Sequence, residues 1–431
     1  MSLFQTAVVG IFVALMVVGV GIFALFGGIG GQGGPGAVTI WGTLEQTTMD
    51  KVLGDLAQKD KSLQDVRYVA KKPGSYEAEL VNAIAAGQGP DLVFVSQQNI
   101  GTLSDKIGVI PYSVVSQGTF VTSYIDEGQL FLTPQGSLAL PFIIDPMVMY
   151  WNRDTFTGAG QAQPPQYWSD LIVLAPKITS LNSGTVRKSA VALGTWDNVN
   201  NAKAILSALM MQTGDFITGR NASGALMATL GEKPGGASVA PAAEALRFYT
   251  DFANPSKTTY SWNRSLQNSG NAFVAGDLAV YFGFASEYRS IAERNPNLRF
   301  GVALLPQLQG SSARITSGTI QGLAVARGAA NPQGAITVAL KLTGAAAIAA
   351  VAQQTGLPPA RRDVGTDTSA SAAAAVFVQS ALMSRSWADP NTLATDEIFK
   401  VMIESVSSGR LAPEQAVFEA AQGLRQLLPN R

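Results

Sequence analysis

The side chains available for chemistry in this chain are restricted, because its 431 residues include no histidine and no cysteine. Ser–His and Cys–His nucleophiles, disulfides and the usual zinc ligands are therefore excluded. An enzyme would have to rely on carboxylates, Lys, Tyr or Ser. Two carboxylates such as Asp145 and Glu287 would suffice for glycoside hydrolysis. A carboxylate-dependent glycoside hydrolase is thus one interpretation of the sequence.

Composition also limits the partners. The chain has 30 basic and 30 acidic side chains, and 47% of its residues are hydrophobic while 14% are charged. Such a chain can bury a large core and lacks the basic excess of nucleic-acid-binding proteins. We expect no nucleic-acid partner, and the sequence indicates no cofactor and no metal site.

Residues 75–95 contain the clearest structural pattern. Apolar residues recur at helical spacing from Tyr76 onward, and Ser75 precedes them as the expected N-cap. Gly87 and Pro90 are typical of a helix end, and the apolar run LVFV that follows favours a buried parallel strand. Ligands bind at the carboxyl ends of strands in open α/β sheets, so we expect the polar residues after this strand to lie in a site.

Strand-like runs alternate with helical ones elsewhere in the chain. Residues 37–42 and 66–71 are predicted strands separated by a helix, which favours a doubly wound α/β layer. Residues 137–156 contain two apolar runs interrupted by Asp145 and Pro146. This break indicates a crossing between two domains.

The N-terminal segment is long and apolar enough to cross a membrane. Residues 7–26 include no charged side chain, and about 20 apolar residues span a bilayer as a helix. A cleavable signal peptide is the alternative, although its apolar core is normally about 7 to 15 residues long and follows a basic stretch. Residues 27–36 include seven glycines and form a predicted flexible tether of roughly 18 Å. We expect a single-pass cell-membrane protein with its body on the extracytoplasmic face.

Five segments in this order resemble the extracellular solute-binding proteins of bacterial ABC importers, in the branch that includes maltose-binding and other sugar-binding proteins. They are VTIWG; SYEAELVNAIAAGQGPDLVFV; LALPFIIDPMVMYWNRDTF with PPQYWSDL; AFVAGDLAVYFG with FGVALLPQ; and GLAVARGAANPQGAITVALKL. The resemblance implies a two-lobed periplasmic-binding-protein-like α/β fold with ligand held between hinged lobes. It also implies a binding protein that is not an enzyme, with ABC permease subunits as partners. The apparent transmembrane helix is a departure, since such proteins are usually soluble or lipid-anchored.

The same resemblance implies a division of the chain into three parts. Residues 1–36 would be the membrane anchor and tether. The first lobe would contain residues 37–143 and 320–380, and the second lobe residues 144–319 and 381–431. The chain would cross between lobes near 142–146, 318–321 and 381–387.

A carbohydrate presents apolar C–H faces and hydroxyl edges, so its site needs aromatic surfaces and a few fixed donors and acceptors. Aromatic and carboxylate side chains occur together in several loops that follow predicted strands, and by analogy with sugar-binding relatives these are stacking positions of the second lobe. The predicted ligand contacts are Thr43, Glu45, Gln97, Gln98, Asp145 and Gln321 in the first lobe and hinge, and Trp196, Asp197, Phe284, Glu287 and Trp387 in the second lobe.

These residues also have purely structural interpretations. A tryptophan such as Trp196 or Trp387 can belong to a core, Glu45 can be an acid of a first helical turn, and Asp145 can terminate a strand before proline.

The leading hypothesis is a membrane-tethered substrate-binding protein of an ABC transporter that captures a carbohydrate or similar polar solute by hinge closure. Oligopeptides and polyamines are alternative solutes, although a polyamine would need a denser acidic cluster than the sequence shows. The alternative functions are the glycoside hydrolase and a surface binding or adhesion domain without a transport role.

Overall fold

The computed structural model describes residues 34–428 except 222, 233–239, 312 and 366–370. The predicted transmembrane segment at 7–26, and most of the glycine-rich tether, lie outside the described residues. Within these described ranges, no single helix combines the length and the apolar character needed to cross a bilayer.

The strands of the described chain are β1 (Val38–Gly42), β2 (Val66–Ala70), β3 (Leu92–Ser96), β4 (Ile110–Pro111), β5 (Leu132–Thr133), β6 (Gly136–Ser137), β7 (Leu140–Asn152), β8 (Ser180–Asn182), β9 (Thr185–Val191), β10 (Thr218–Arg220), β11 (Leu226–Ala228), β12 (Leu278–Phe284), β13 (Phe300–Ala303), β14 (Thr316–Val325) and β15 (Ser384–Arg385).

The α-helices are α1 (Gln46–Lys59), α2 (Tyr76–Ala85), α3 (Ile100–Leu103), α4 (Gln117–Ser123), α5 (Arg153–Gly158), α6 (Trp168–Ile178), α7 (Ala202–Gln212), α8 (Pro241–Asp251), α9 (Ser269–Ala275), α10 (Glu287–Arg294), α11 (Pro332–Leu342), α12 (Ala345–Thr355), α13 (Ala372–Met383), α14 (Thr392–Ser407) and α15 (Pro413–Leu427). Short 3₁₀ turns occur at Lys61–Leu63 and Asp126–Phe131.

The helix–strand unit predicted at 75–95 is confirmed as α2 and β3. Leu80 of α2 is fully buried, and the φ of +69° at Gly87 follows the helix end. Ser75 occupies the N-cap position as predicted, but its hydroxyl donates to the carboxylate of Glu79 at 2.6 Å and makes no cap hydrogen bond. A charged acceptor one turn away competes with the backbone N–H groups for this hydroxyl.

A sheet of ten strands runs through the molecule in the order β2-β1-β3-β14-β7-β12-β9-β8, with β13 also paired to β7 and β15 to β14. Strand β1 pairs in parallel with β2 and with β3. Strand β14 is antiparallel to its neighbours β3 and β7, and β7 is also antiparallel to β12. Two separate hydrophobic cores pack against this sheet, one towards each end of the strand order, and β14 and β7 lie between them. One core includes Ile40, Leu80 and Phe142, and the other includes Met210 and Phe273. The molecule therefore has two α/β lobes.

The 13-residue strand β7 connects the two cores. Its first half, including Phe142 and Ile144, is buried in the first core and pairs with β14. Its second half, including Met147 and Tyr150, is buried in the second core and pairs with β12 and β13. Asp145 lies between the two halves, at the break that the sequence shows.

β14 and β15 also connect the cores. β14 runs from Thr316, next to the second core, to Leu323 in the first core, and β15 pairs with its beginning. Helix α13 precedes β15 and contacts both cores, since Phe377 packs in the second and Ala381 in the first. The residue boundaries of the two lobes stay a prediction.

The buried carboxyl of Glu127 lies where the three connecting strands meet. A Cβ atom at Gly318 of β14 would lie 2.5 Å from Oε2 of Glu127, 2.8 Å from Oγ of Ser384 in β15 and 3.0 Å from Ile144 of β7. Glu127 is 1% exposed, and neither carboxyl oxygen has a hydrogen-bond partner among the described residues. Glycine at 318 therefore leaves room for this carboxyl.

Burial raises the pKa of Glu127 to about 8. The guanidinium of Arg385 opposes this rise only in part, because it pairs with Asp126. The N–H of Ile320, which donates to Gln97, also opposes the rise. At neutral pH the carboxyl is therefore protonated, which removes most of the cost of burying it.

The replacement Glu127→Gln is expected to flatten the pH dependence of stability. Between the ordinary glutamate pKa of about 4.3 and about 8, the folded protein holds a proton that the unfolded chain has lost. The free energy of unfolding of the wild type therefore falls as the pH rises through this window. Urea denaturation at pH 5 and at pH 8 should show the wild type losing roughly 3 to 4 kcal/mol more stability than the variant over this interval, since each pH unit between the two pKa values is worth about 1.4 kcal/mol.

Glu397→Gln is the matched control, because Glu397 is exposed on α14 and should leave the slope of stability against pH unchanged. If Glu127→Gln keeps the slope of the wild type, the carboxyl is not protonated in the folded protein.

Candidate ligand-binding cleft

A cleft with two chambers lies beside the connecting strands. The large chamber has a volume of about 310 Å³ and the small chamber about 200 Å³. Gln98, Thr319 and Thr392 line both chambers, so the two spaces adjoin. The cleft lies at the carboxyl end of β3, as the polar residues after that strand predict.

The large chamber is lined by Gln97, Gln98, Asn201, Lys203, Ala204, Ser207, Phe284, Ser317, Gly318, Thr319, Ser386, Trp387, Asp389, Thr392 and Asp396. The small chamber is lined by Thr43, Pro73, Tyr76, Glu77, Phe94, Val95, Ser96, Gln98, Asn99, Thr319, Gln321 and Thr392.

Both lobes contribute to these walls. The loop after β3 belongs to the first lobe, whereas α7 and the end of β12 belong to the second. The segment after β15 contacts the β3 loop directly, because the Asp389 N–H donates to the Gln97 carbonyl at 3.0 Å and the Thr392 hydroxyl donates to the Gln98 carbonyl at 2.7 Å. A solute in the large chamber would therefore touch groups from both lobes.

The ammonium of Lys203, near the start of α7, is the centre of a polar cluster. It donates to Asp389 at 2.8 Å, to Asp396 at 2.7 Å and to the Thr395 hydroxyl at 2.7 Å. It also lies 5.3 Å from the ring centre of Trp387, which is cation–π distance. The cluster joins α7 to α14 and forms part of the wall of the large chamber.

Gln97 is a buried structural link of the hinge. Its side-chain amide donates to the Gly318 carbonyl at 2.9 Å and accepts from the Ile320 N–H at 3.0 Å, and the residue is 3% exposed. Gln98 is exposed and lines both chambers. Of this predicted pair, Gln98 is the side chain that is available to a solute.

Two predicted aromatic residues line the large chamber. Phe284 ends β12 and is half-buried. Trp387 is 5% exposed, lies nearly parallel to Phe399 at a centroid distance of 6.0 Å and donates to the Ser207 hydroxyl at 3.2 Å. Phe284 therefore offers more of its ring to a solute. Trp196 packs against the second core and does not line either chamber.

Of the remaining predicted contacts, Thr43 and Gln321 lie in the small chamber. The side-chain oxygen of Gln321 is buried and has no hydrogen-bond partner among the described residues, so it is an available acceptor. Glu45 is exposed before α1, and exposed Asp197 lies 3.6 Å from Lys400. Neither acid lines a chamber, and their predicted ligand contacts stay predictions.

The carboxylates of Asp145 and Glu287 are both engaged by protein groups. Glu287 accepts from the Tyr281 hydroxyl at 2.5 Å and from the Phe284 N–H at 2.8 Å. Asp145 accepts from the Ser286 N–H at 2.9 Å. Loss of hydration raises the pKa of Asp145 to about 6, while its bonds from Ser286 oppose the rise. Neither carboxylate lines a chamber, and the arrangement fixes the β12–α10 turn.

The sequence did not single out several of the polar residues that line the cleft. They lie on two helices that follow loops at the cleft, and they are Lys203 and Ser207 of α7 and Thr392 and Asp396 of α14. The only signal near them was the predicted loop that contains Trp196 and Asp197 and precedes α7. No group of three or more acidic side chains that could hold a metal ion occurs in the part of the chain that the structure describes.

The chain belongs to the bacterial extracellular solute-binding protein family, whose family model matches residues 57–378. The predicted family and the two-lobed periplasmic-binding-protein-like fold are thereby confirmed. No curated protein sequence matches the chain.

Solved structures show the same fold. A cyclo/maltodextrin-binding protein complexed with maltotetraose is 16% identical, with a TM-score of 0.72 over 92% of this chain and 98% of that one. An ABC transporter solute-binding protein of Thermotoga lettingae TMO, bound with alpha-D-tagatose, is 20% identical, with a TM-score of 0.67 over 91% and 100% of the two chains. The maltose–maltodextrin binding protein of Alicyclobacillus acidocaldarius is 18% identical, with a TM-score of 0.66 over 90% and 99%.

The replacement Lys203→Met is expected to destabilise the protein, because it leaves the carboxylate of Asp389, which has 3% of its side chain exposed, without its cation. The free energy of unfolding should fall by roughly 2 to 4 kcal/mol in chemical denaturation. Lys400→Met is the control, since its pair with Asp197 is long and exposed and should contribute about 0.5 kcal/mol or less. Equal effects of the two replacements would show that the buried cluster does not stabilise the fold.

Proposed function

We propose that this protein captures a carbohydrate in the two-chambered cleft and delivers it to the permease subunits of an ABC importer. The observation that carries the proposal is the composition of the cleft. Phe284 supplies an aromatic ring, while Gln98, Thr43 and Gln321 supply hydroxyl and amide groups, and sugars are bound through such combinations. The similar solved structures hold maltotetraose and tagatose, which supports the same class of solute.

Capture would proceed by hinge closure. The lobes are joined by three strands, and the chambers lie next to them, so a rotation about these strands changes the width of the cleft. A solute that touches Gln98 of one lobe and Phe284 of the other would favour closure, since closure brings the two lobes together around it. Capture in this way makes and breaks no covalent bond, and the engagement of Asp145 and Glu287 by protein groups supports the same conclusion.

The proposal includes attachment to the membrane by residues 7–26. Their length and lack of charge support an uncleaved helix, and the family's extracellular character supports a body on the outer face. A tethered binding protein would remain close to its permease.

Calorimetric titration of the full chain with maltotetraose, tagatose and a panel of other mono- and oligosaccharides tests the solute class. We expect at least one sugar to bind, and we expect Phe284→Ala to weaken its binding at least about tenfold, because an aromatic platform is lost. Phe418→Ala is the matched control, since Phe418 is 53% exposed on α15 and away from the cleft.

Absence of binding across the whole panel would contradict the carbohydrate proposal. Equal losses in the two phenylalanine variants would instead contradict the role of Phe284.

Cell fractionation tests the anchor. The full chain should remain in the membrane fraction after washes with high salt and alkaline carbonate, and a variant lacking residues 1–33 should not, because the apolar segment is the attachment. Mass spectrometry of the mature chain should find these residues still present. A shortened N-terminus would identify the segment as a cleaved signal peptide.

A further inference from the structure

The charges along the cleft are unequal. Among the described residues that line the two chambers, Lys203 is the only basic one, whereas Asp389, Asp396 and Glu77 are acidic. The N-termini of α7 and α14 also border the large chamber, and each contributes about half a positive charge. Three negative charges thus face one full and two partial positive charges.

The single lysine has no donor left for a solute. An ammonium group has three N–H bonds, and those of Lys203 are directed to Asp389, Asp396 and Thr395 at 2.7 to 2.8 Å. Its side chain is 17% exposed. An acidic solute would therefore find no free cation on the described walls of the cleft.

The carboxylates differ in accessibility. Asp389 has 3% of its side chain exposed, and its two oxygens accept from Lys203, Thr395 and the Asn391 N–H. Asp396 has 43% of its side chain exposed and binds Lys203 through Oδ1. Asp396 is thus the charged group that a solute in the large chamber meets first.

We infer that the cleft selects its solute by charge and binds sugars that carry a basic amine in preference to neutral or acidic ones. This inference rests on the proposed carbohydrate function. A protonated sugar amine would donate a charge-assisted hydrogen bond to the exposed carboxylate of Asp396, whereas a carboxylate or phosphate group would meet that carboxylate and find no free cation. Neutral sugars would make only the uncharged contacts that the cleft offers.

Calorimetric titration of the full chain with glucosamine, glucose, N-acetylglucosamine and glucuronate tests this inference, at low ionic strength and at a pH that keeps the amine protonated. Glucosamine should bind about two- to fivefold more tightly than glucose or N-acetylglucosamine, and glucuronate more weakly than glucose. Added salt should reduce the differences, since the charged group is partly exposed.

Variants assign the preference to one side chain. Asp396→Asn should bring the ratio of glucosamine to glucose affinity to about one, whereas Asp396→Glu should keep a ratio above one because the charge remains. Asp55→Asn, at an exposed position of α1, should leave the ratio unchanged. Loss of the preference in both Asp396 variants would indicate damage to the site and would overturn the assignment.

The outcomes separate this inference from the proposed function. If maltotetraose or another sugar binds but glucosamine binds no better than glucose, the charge selection is wrong and the carbohydrate function stands. Glucuronate binding as tightly as glucosamine, or a preference that persists in Asp396→Asn, also overturns the inference. If no sugar binds, both proposals fail.

Discussion

The two lobes depend on three strands that pass between separate hydrophobic cores while their backbone groups stay hydrogen-bonded. Buried N–H and C=O groups without partners are costly, so a crossing between cores needs a local source of donors and acceptors. The side chain of Gln97 supplies both to β14, through Gly318 and Ile320. The end of β3 is therefore joined directly to the hinge, and the loop that begins there, with Gln98, reaches the cleft.

The close packing at this hinge also explains the protonated state of Glu127. Gly318 has no side chain, and the space beside it is taken by the carboxyl of Glu127 and by the hydroxyl of Ser384. No water-exposed route remains for the carboxyl, so its neutral form is the stable one. The tertiary contacts that hold the three strands together thus determine the charge of this residue.

Lys203, unlike Glu127, is a largely buried ionisable side chain with charged partners. Its ammonium group is surrounded by three acceptors, and two of them are carboxylates. The cluster joins α7 to α14 and also determines which charge faces the cleft. If the inferred charge selection holds, structural stability and solute selectivity depend on the same side chains in this part of the second lobe.

Several features were predictable from local sequence, and others were not. The unit of α2 and β3 could be predicted because helical periodicity, a glycine stop and an apolar strand follow one another within 21 residues. Phe284 and Glu287 were predicted to contact ligand together because they are close in sequence. Only Phe284 lines a chamber, since Glu287 begins α10 and turns back to the Tyr281 hydroxyl and the Phe284 N–H.

The sequence by itself determined the absence of histidine and thiol chemistry, the alternation of helices and strands, and the resemblance to solute-binding proteins. Periodicity and composition are local properties, so they can be read without coordinates. Only the tertiary structure decided which polar side chains are free to meet a solute. Lys203 and Asp389 are 186 residues apart, and Gln97 and Ile320 are 223 apart. Whether a polar group is free depends on such distant partners, and these are brought together only by the packing of the two lobes.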